Sequence, residues 1–261
     1  MDYRSLGDTR VTINGSRHYK TPYGALPSVT TILSATQGNK AALERWAKKN
    51  PGGKEAAAAR GTKVHSLMEE YLLGIDKDPV IEDKEIAQFW EGLPKNLSKL
   101  ENIIWAENPA NQDDYAWTKG SDGISRVWHP GMAEGKNYGW AGAPDIIAVV
   151  NNKLTLADLK TSVRPYSRKW PKDYEKGTKE WRNLLGGYMK FKKTCKQLAA
   201  YDIAIEQTLG MKVQQAAVLV STPERTQIFK ISRGFLNSLR QDWYKIVEEY
   251  YKQLEECYSE S

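Results

Sequence analysis

The spacing of apolar and polar positions changes along the chain and marks out its elements. The first 25 residues alternate loosely, with Val11, Ile13 and Tyr19 around Asn14-Gly15, a strong hairpin-turn dipeptide. Pro27-Ser28 opens a short apolar run from Val29 to Leu33, with Ser28 placed as an N-cap. Helical periodicity then predicts helices over 40–49, 54–73 and 83–99, the second carrying a stripe of Val64, Leu67, Met68, Tyr71 and Leu72. Residues 101–107 read as a strand. Two further strand-like runs, 141–150 and 153–160, flank Asn151-Asn152. A long helix is predicted over 184–209, ended by Gly210, followed by strands at 213–220 and 225–231. The chain closes on an amphipathic helix bearing Leu236, Leu239, Trp243, Ile246, Val247, Tyr250 and Leu254. This order predicts an α/β fold, a mixed central sheet flanked by helices, in a single domain over 1–261. Its parts are an N-terminal hairpin and helices (1–100), the sheet and its long helix (101–231) and the closing helix (232–261). Residues 108–138, rich in Gly, Pro, Asp and Asn, form a long excursion, and loops of this length are usually functional or mobile.

Composition narrows the classes. Apolar residues make up 40% and charged residues 27% of the 261, which excludes wholesale disorder and fibrous architectures. No apolar run is long enough to span a membrane, and the N-terminus resembles neither a secretory signal nor a transit peptide, so a cytoplasmic location is expected. Two cysteines, Cys195 and Cys257, cannot build a disulfide framework, a four-cysteine zinc site or a four-cysteine cluster. The net charge of +6 is modest but uneven. Residues 160–196 hold twelve Lys/Arg against three acids, interleaved with Tyr166, Trp170, Tyr174 and Trp181. Cations that neutralise phosphates beside rings that stack on bases are the composition of a single-strand nucleic-acid path.

The candidate chemistry lies where the two central strands meet. If Asn151-Asn152 is a two-residue turn, Val150 faces Lys153 and Asp145 faces Asp158, their Cβ atoms about 4.5–5.5 Å apart. Ile147 and Val149 face Leu156 and Leu154 on the same side. Two carboxylates thus close an otherwise apolar face, and Lys160, two residues on, shares that face. Opposed like charges are destabilising unless they share a proton or hold a cation. Carboxylate oxygens are ligands that Mg²⁺ or Mn²⁺ prefers, and acids plus a lysine suit metal-assisted phosphodiester cleavage. The plainer alternative is a pair of exposed strand-end acids matched to neighbouring lysines.

Pro144-Asp145, a twelve-residue gap and Asp158-Leu159-Lys160 resemble the signature of the PD-(D/E)XK nuclease superfamily. Three more motifs resemble its RecB-like branch: Gly61 to His65 (G-x-x-x-H), Gly142 to Asp145 (G-x-x-D) and Gln197 to Tyr201 (Q-x-x-x-Y). The run from Pro27 to Leu33 and Asp158-Leu159-Lys160-Thr161-Ser162 look most like the group containing the mitochondrial genome maintenance exonuclease and its phage relatives. The resemblance spans about residues 11–255. It implies a restriction-endonuclease-like core and a Mg²⁺- or Mn²⁺-dependent DNA exonuclease that prefers single strands with a free end, serving replication, repair or recombination. It implies His65, Asp145, Asp158 and the Leu159 carbonyl as metal ligands, with Lys160 catalytic beside Asp145 and Asp158. It also implies Gln197, Tyr201, Thr161 and Ser162 as substrate contacts and Glu107 as an outer-shell acid acting through water; Arg60, beside the G-x-x-x-H motif, and Arg164, Arg168 and Lys169 of the basic segment are further expected substrate contacts. The iron–sulfur cluster of many relatives is not expected, given two cysteines. The segments 108–138 and 163–183 are longer than the family pattern. A structure-specific or restriction-type endonuclease of this fold, or a non-catalytic DNA-binding module, are the alternatives. His18 and His129 match no motif and are expected to be solvated.

Overall fold

A computed structural model describes residues 7–38, 40–111, 114–133 and 136–259, so the 108–138 excursion is described in part. Asn14 and Gly15 both take left-handed backbone (φ 49° and 73°), as the turn between β1 (Arg10–Ile13) and β2 (Ser16–Thr21) requires. β3 (Gly24–Pro27) completes a three-stranded antiparallel sheet. α1 (Val29–Gln37) starts at Ser28, whose Oγ accepts the Thr31 N–H at 3.0 Å. α2 (Lys40–Lys49) and α3 (Gly53–Leu72) follow as the periodicity predicts. The helix expected over 83–99 is two: α4 (Lys84–Trp90), capped by Asp83, and α5 (Pro94–Leu97). Pro94 cannot donate to a preceding turn but suits the start of a new one.

β4 (Glu101–Ala106) turns sharply into β5 (Asn108–Pro109), and the excursion continues through β6 (Val127–His129), β7 (Met132–Ala133) and β8 (Lys136–Asn137). The run predicted as one strand over 141–150 is divided. β9 (Trp140–Gly142) pairs with β6, and β10 (Ile146–Val150) joins the central sheet. Pro144, which lacks an N–H for a ladder, lies at the break. β11 (Lys153–Thr161) leads through a basic loop to α6 (Lys179–Leu209), then β12 (Gln215–Ser221), β13 (Thr226–Ser232) and α7 (Arg233–Ser259). α6 begins at Lys179 rather than 184 because Thr178 caps it, accepting the Trp181 N–H at 3.2 Å.

The central sheet runs β13-β12-β11-β10-β4-β5. β11 and β12 are parallel across the α6 crossover, and the other neighbours are antiparallel. Alternate residues serve opposite faces. Ile147, Leu156, Val218 and Val220 pack with Leu198, Leu236 and Trp243 from α6 and α7. Ile146, Ala148, Ala157 and Leu159 pack with Val64, Met68, Phe89 and Leu93 from the α3–α5 side. The result is a mixed sheet with helices on both faces, and among the described residues no helix is long and apolar enough to cross a membrane. Two details correct the sequence reading. His129 is not a solvated side chain: its ring stacks on Trp140 with centroids 4.5 Å apart and planes 18° apart. Tyr166, counted among the stacking aromatics of the basic segment, is a buried member of the core on the α6 side.

Candidate functional site

The break after β9 positions Asp145. It lies one residue before the ladder of β10 and β11, which runs from Ile146↔Ala157 to Val150↔Lys153 in the register set by Asn151-Asn152. Asp145 is nearly fully buried. Its Oδ2 accepts the Leu159 N–H at 2.7 Å, and its carbonyl accepts the Glu107 N–H at 2.7 Å. Asp158, fully buried in β11, does not turn to Asp145. Its Oδ2 lies 2.5 Å from Lys160 Nζ, and neither carboxylate oxygen has a well-formed hydrogen bond beyond that ion pair. The exposed strand-end arrangement is therefore not the one adopted.

α3 supplies His65 from the other side of the sheet end. Its Nδ1 bonds Glu107 Oε1, while Nε2 lies 3.1 Å from the Leu159 carbonyl and 3.9 Å from Asp145 Oδ2. Glu107 is the single residue between β4 and β5 and holds φ at 57°, a left-handed conformation that costs a glutamate about 1–2 kcal/mol. The ligand atoms of His65, Glu107 and Asp145 all lie within 4.8 Å of one another. Of the ligand set implied by the resemblance, His65, Asp145 and the Leu159 carbonyl converge. Asp158 stands beside them, engaged by Lys160. Glu107, expected as an outer-shell acid acting through water, is bonded directly to His65.

The electrostatics follow from burial. Desolvation raises the Asp145 carboxyl, and raises Asp158 to about 7, with the Lys160 charge opposing and the Asp145 charge adding. Burial alone would lower His65, but the Asp145 charge and the Glu107 hydrogen bond outweigh it and raise the imidazole to about 9. Burial likewise opposes the Lys160 charge, and Asp158 and Asp145 more than restore it. Carboxylate and carbonyl oxygens with one imidazole, two of those oxygens held only by an ion pair, form a donor set that fits a hard divalent cation.

A cavity of about 280 Å³ opens against this cluster. Gln197 and Tyr201 line it from α6 beside His65, Glu107 and Asp145, and the Gln197 Nε2 donates to Tyr201 Oη at 3.1 Å. A Cβ at Gly142 would lie 2.5 Å from Tyr201 Cε1, so the glycine is a contact requirement of that ring; a Cβ at Gly61 would meet nothing closer than 3.6 Å. Arg10, Arg17 and Tyr19 line the same cavity from the N-terminal sheet, and no sequence motif singled them out. A second cavity of about 430 Å³ adjoins at His65 and Glu107 and is walled in part by Gly123 and Ile124, so the excursion borders the site.

The other expected substrate residues have structural partners. Arg60 is ion-paired with Glu85 at 2.6 Å and lies over the Phe89 ring. Ser162 is buried and accepts the Lys190 ammonium at 3.0 Å, and Thr161 is half-buried at the end of β11. Arg164 donates to Asn183. Arg168 donates to the Lys230 carbonyl and lies over both the Phe191 and Phe229 rings. Lys169 is exposed. Lys190 is pushed down by burial and by the charges of Arg164 and Arg60.

No model of a known protein family matches the chain, and no curated protein matches it. Among solved structures, one described as the crystal structure of SSO0001 aligns at 18% identity with a TM-score of 0.30. The match covers 49% of this chain and 48% of that one, so the likeness spans about half the length of either protein.

Proposed function

We propose that this chain is a divalent-metal-dependent deoxyribonuclease of the RecB-like PD-(D/E)XK type, an exonuclease that prefers single-stranded DNA with a free end. One observation carries the reading: His65, Glu107, Asp145 and the Leu159 carbonyl converge beside the buried Asp158–Lys160 pair, at the end of the sheet and at the wall of an open cavity. His65, Asp145, Glu107 and the Leu159 carbonyl would hold Mg²⁺ or Mn²⁺, with Asp158 joining once Lys160 turns to substrate. The imidazole favours Mn²⁺ over Mg²⁺. A cation bound there supplies positive charge at the phosphate and lowers the pKa of a water.

The chain's own groups divide the remaining work. Lys160 is held protonated by its carboxylate neighbours, so it serves as a charged donor to the phosphate oxygens as charge builds there, not as the base. Leu159 N–H fixes the Asp145 carboxylate, which keeps the ligand cluster ordered before substrate arrives. The exposed cations Arg164 and Lys190, with exposed Trp170 and Tyr174 on the same basic stretch, support a strand path leading to the site.

The test is degradation of end-labelled linear single strands with Mg²⁺ or Mn²⁺. Linear strands are expected to be shortened from an end and circular single strands to survive. Asp158→Ala and Lys160→Ala are expected to be inactive. Cleavage of circles would replace the exonuclease reading with an endonuclease one, and no cleavage by the unmodified chain with either metal would remove the enzyme reading altogether.

A further inference from the structure

The cavity beside the ligand cluster has two poles. One is acidic, with Glu107 and Asp145 on its wall; the other is cationic, formed by Arg10 on β1 and Arg17 on β2. Arg10 lies opposite Tyr19, and Arg17 opposite Thr12, so the two arginines are diagonal neighbours on one face of the small sheet. Opposite charges sharing so small a space would ordinarily pair, yet neither guanidinium forms an ion pair with a described residue, although Asp145 and Glu107 line the same cavity. Those acids are already engaged: Glu107 by His65, Asp145 by the Leu159 N–H. The Asp158 carboxylate is taken by Lys160. Buried Tyr19 shares the cavity wall with both arginines, and the nearby Arg17 charge acts to lower its hydroxyl against the rise caused by burial. Ser28 and Thr30, at the start of α1, line the cavity next to it, the Ser28 hydroxyl donating to Thr31 Oγ1 at 2.9 Å. The hairpin is anchored there by backbone, since the Arg17 carbonyl accepts both the Ser28 N–H (2.9 Å) and the Thr31 hydroxyl (2.8 Å).

From this arrangement we infer that Arg10 and Arg17 form a phosphate clamp, holding a phosphate of the bound strand other than the one at the metal cluster. Guanidinium forks match phosphate oxygens bidentately, and two forks on one face supply donors for several oxygens of one phosphate. The N-terminal sheet then has a function besides covering Tyr19 and Leu26: it fixes where along the strand cleavage occurs. The phosphate is either the strand's 5′-terminal monoester or an internal diester, and the same chemistry recognises both.

The inference rests on the reading that the cavity takes a nucleic-acid strand, but it is testable without cleavage. Binding of a fluorescent 20-nucleotide thymidine strand in EDTA, with a 5′-phosphate or a 5′-hydroxyl, is measured for the unmodified chain and for Arg17→Ala, Arg10→Gln and Arg17→Lys. Losing a hydrogen-bonded charge contact is expected to weaken binding about tenfold or more in Arg17→Ala, with partial recovery in Arg17→Lys. The slope of binding against salt should also fall by about one per lost phosphate contact. A loss confined to the 5′-phosphorylated strand assigns the terminal monoester; an equal loss for both strands assigns an internal diester. Because Arg17 anchors the hairpin through its carbonyl, the side-chain variants should melt with the unmodified chain. Arg10→Gln, at an exposed strand position, gives a second reading if Arg17→Ala does not fold. Unchanged affinity and salt slope in variants that melt normally would overturn the clamp. A chain that binds strands through these arginines but never cleaves them would keep the clamp and overturn the nuclease reading.

Discussion

The sharpest structural prediction concerns Gly142, which lies beside the Tyr201 ring. A Cβ there would sit 2.5 Å from Cε1 and 3.3 Å from Cζ, against about 3.5–4.0 Å for a favourable carbon contact, so the ring must retreat by about 1 Å. Tyr201 is 5% exposed and bonded to Gln197, so it has little room to do so. Overpacking of this kind costs about 1–3 kcal/mol. Gly142 does not have a positive φ, so alanine suffers no backbone strain and even recovers about 0.5–1 kcal/mol of chain entropy. The net expectation for Gly142→Ala is about 1–2 kcal/mol of lost stability, or a fall in Tm of about 2–8 °C for a chain of this size. Thermal melting followed by near-UV circular dichroism reads it directly. The cause is isolated by a second variant. Tyr201→Ala removes the ring, so adding Gly142→Ala to it should cost no more than about 0.5 kcal/mol, within ordinary additivity error. If Gly142→Ala melts with the unmodified chain, or if its penalty adds in full to that of Tyr201→Ala, the contact argument is wrong.

Two further predictions follow from the site and its surroundings. Mn²⁺ at a hundredfold excess over its dissociation constant should stabilise the folded chain by about 2.7 kcal/mol, and Asp145→Asn should abolish the shift in a melting assay. Glu107→Gly is a diagnostic partner: relief of the left-handed φ should raise the metal-free Tm, while loss of the ligand shrinks the Mn²⁺ shift, and a variant that keeps the full shift would remove Glu107 from the site. His129 is depressed to about 4 by burial and by the Arg240 charge, against 6.5 in the unfolded chain. Between those values the unfolded chain binds more protons, so this residue's contribution to stability is present above pH 6.5 and is lost as pH falls toward 4. His129→Phe, which keeps the stack on Trp140, should therefore gain on the unmodified chain as pH falls through that window; parallel Tm–pH curves would contradict the assignment.

Much of this was legible from local pattern. The Asn151-Asn152 turn fixed the register of the central hairpin, and the helices over 40–49 and 54–73 followed from periodicity, because turn chemistry and a one-sided apolar stripe are local properties. What period could not reveal was set by tertiary context. Apart from Asp145, residues 141–150 are small or apolar, so nothing in their alternation marks the point where the chain leaves the β6–β9 pair for the central sheet; Pro144 is the local sign. Glu107 looked like the end of a strand, and only its left-handed turn brings it to His65. Arg10 and Arg17 read as ordinary polar positions of a surface hairpin, because which cavity a strand's outer face borders depends on how that sheet docks. His129 shares strand spacing only with Val127, and nothing in that short run announces its stack on Trp140, eleven residues on.

The energetics of the ligand cluster bear on why it is there at all. Burying Asp145 and Asp158 together raises both carboxyls, which means that the ionised pair opposes folding. Lys160 compensates one of them, but a buried ion pair rarely outperforms apolar residues of the same volume. Apolar replacements would fit the pattern of the sheet, since Ile147 and Leu156 already occupy the equivalent positions one step along the same face. Glu107 adds a third carboxylate and a strained backbone at the same point. Stability therefore does not account for two buried acids, a half-buried lysine, a half-buried histidine and a left-handed glutamate at one sheet end. A cation held there, as the proposed function requires, would do so, because it would turn mutual repulsion into shared coordination and free Lys160 from Asp158.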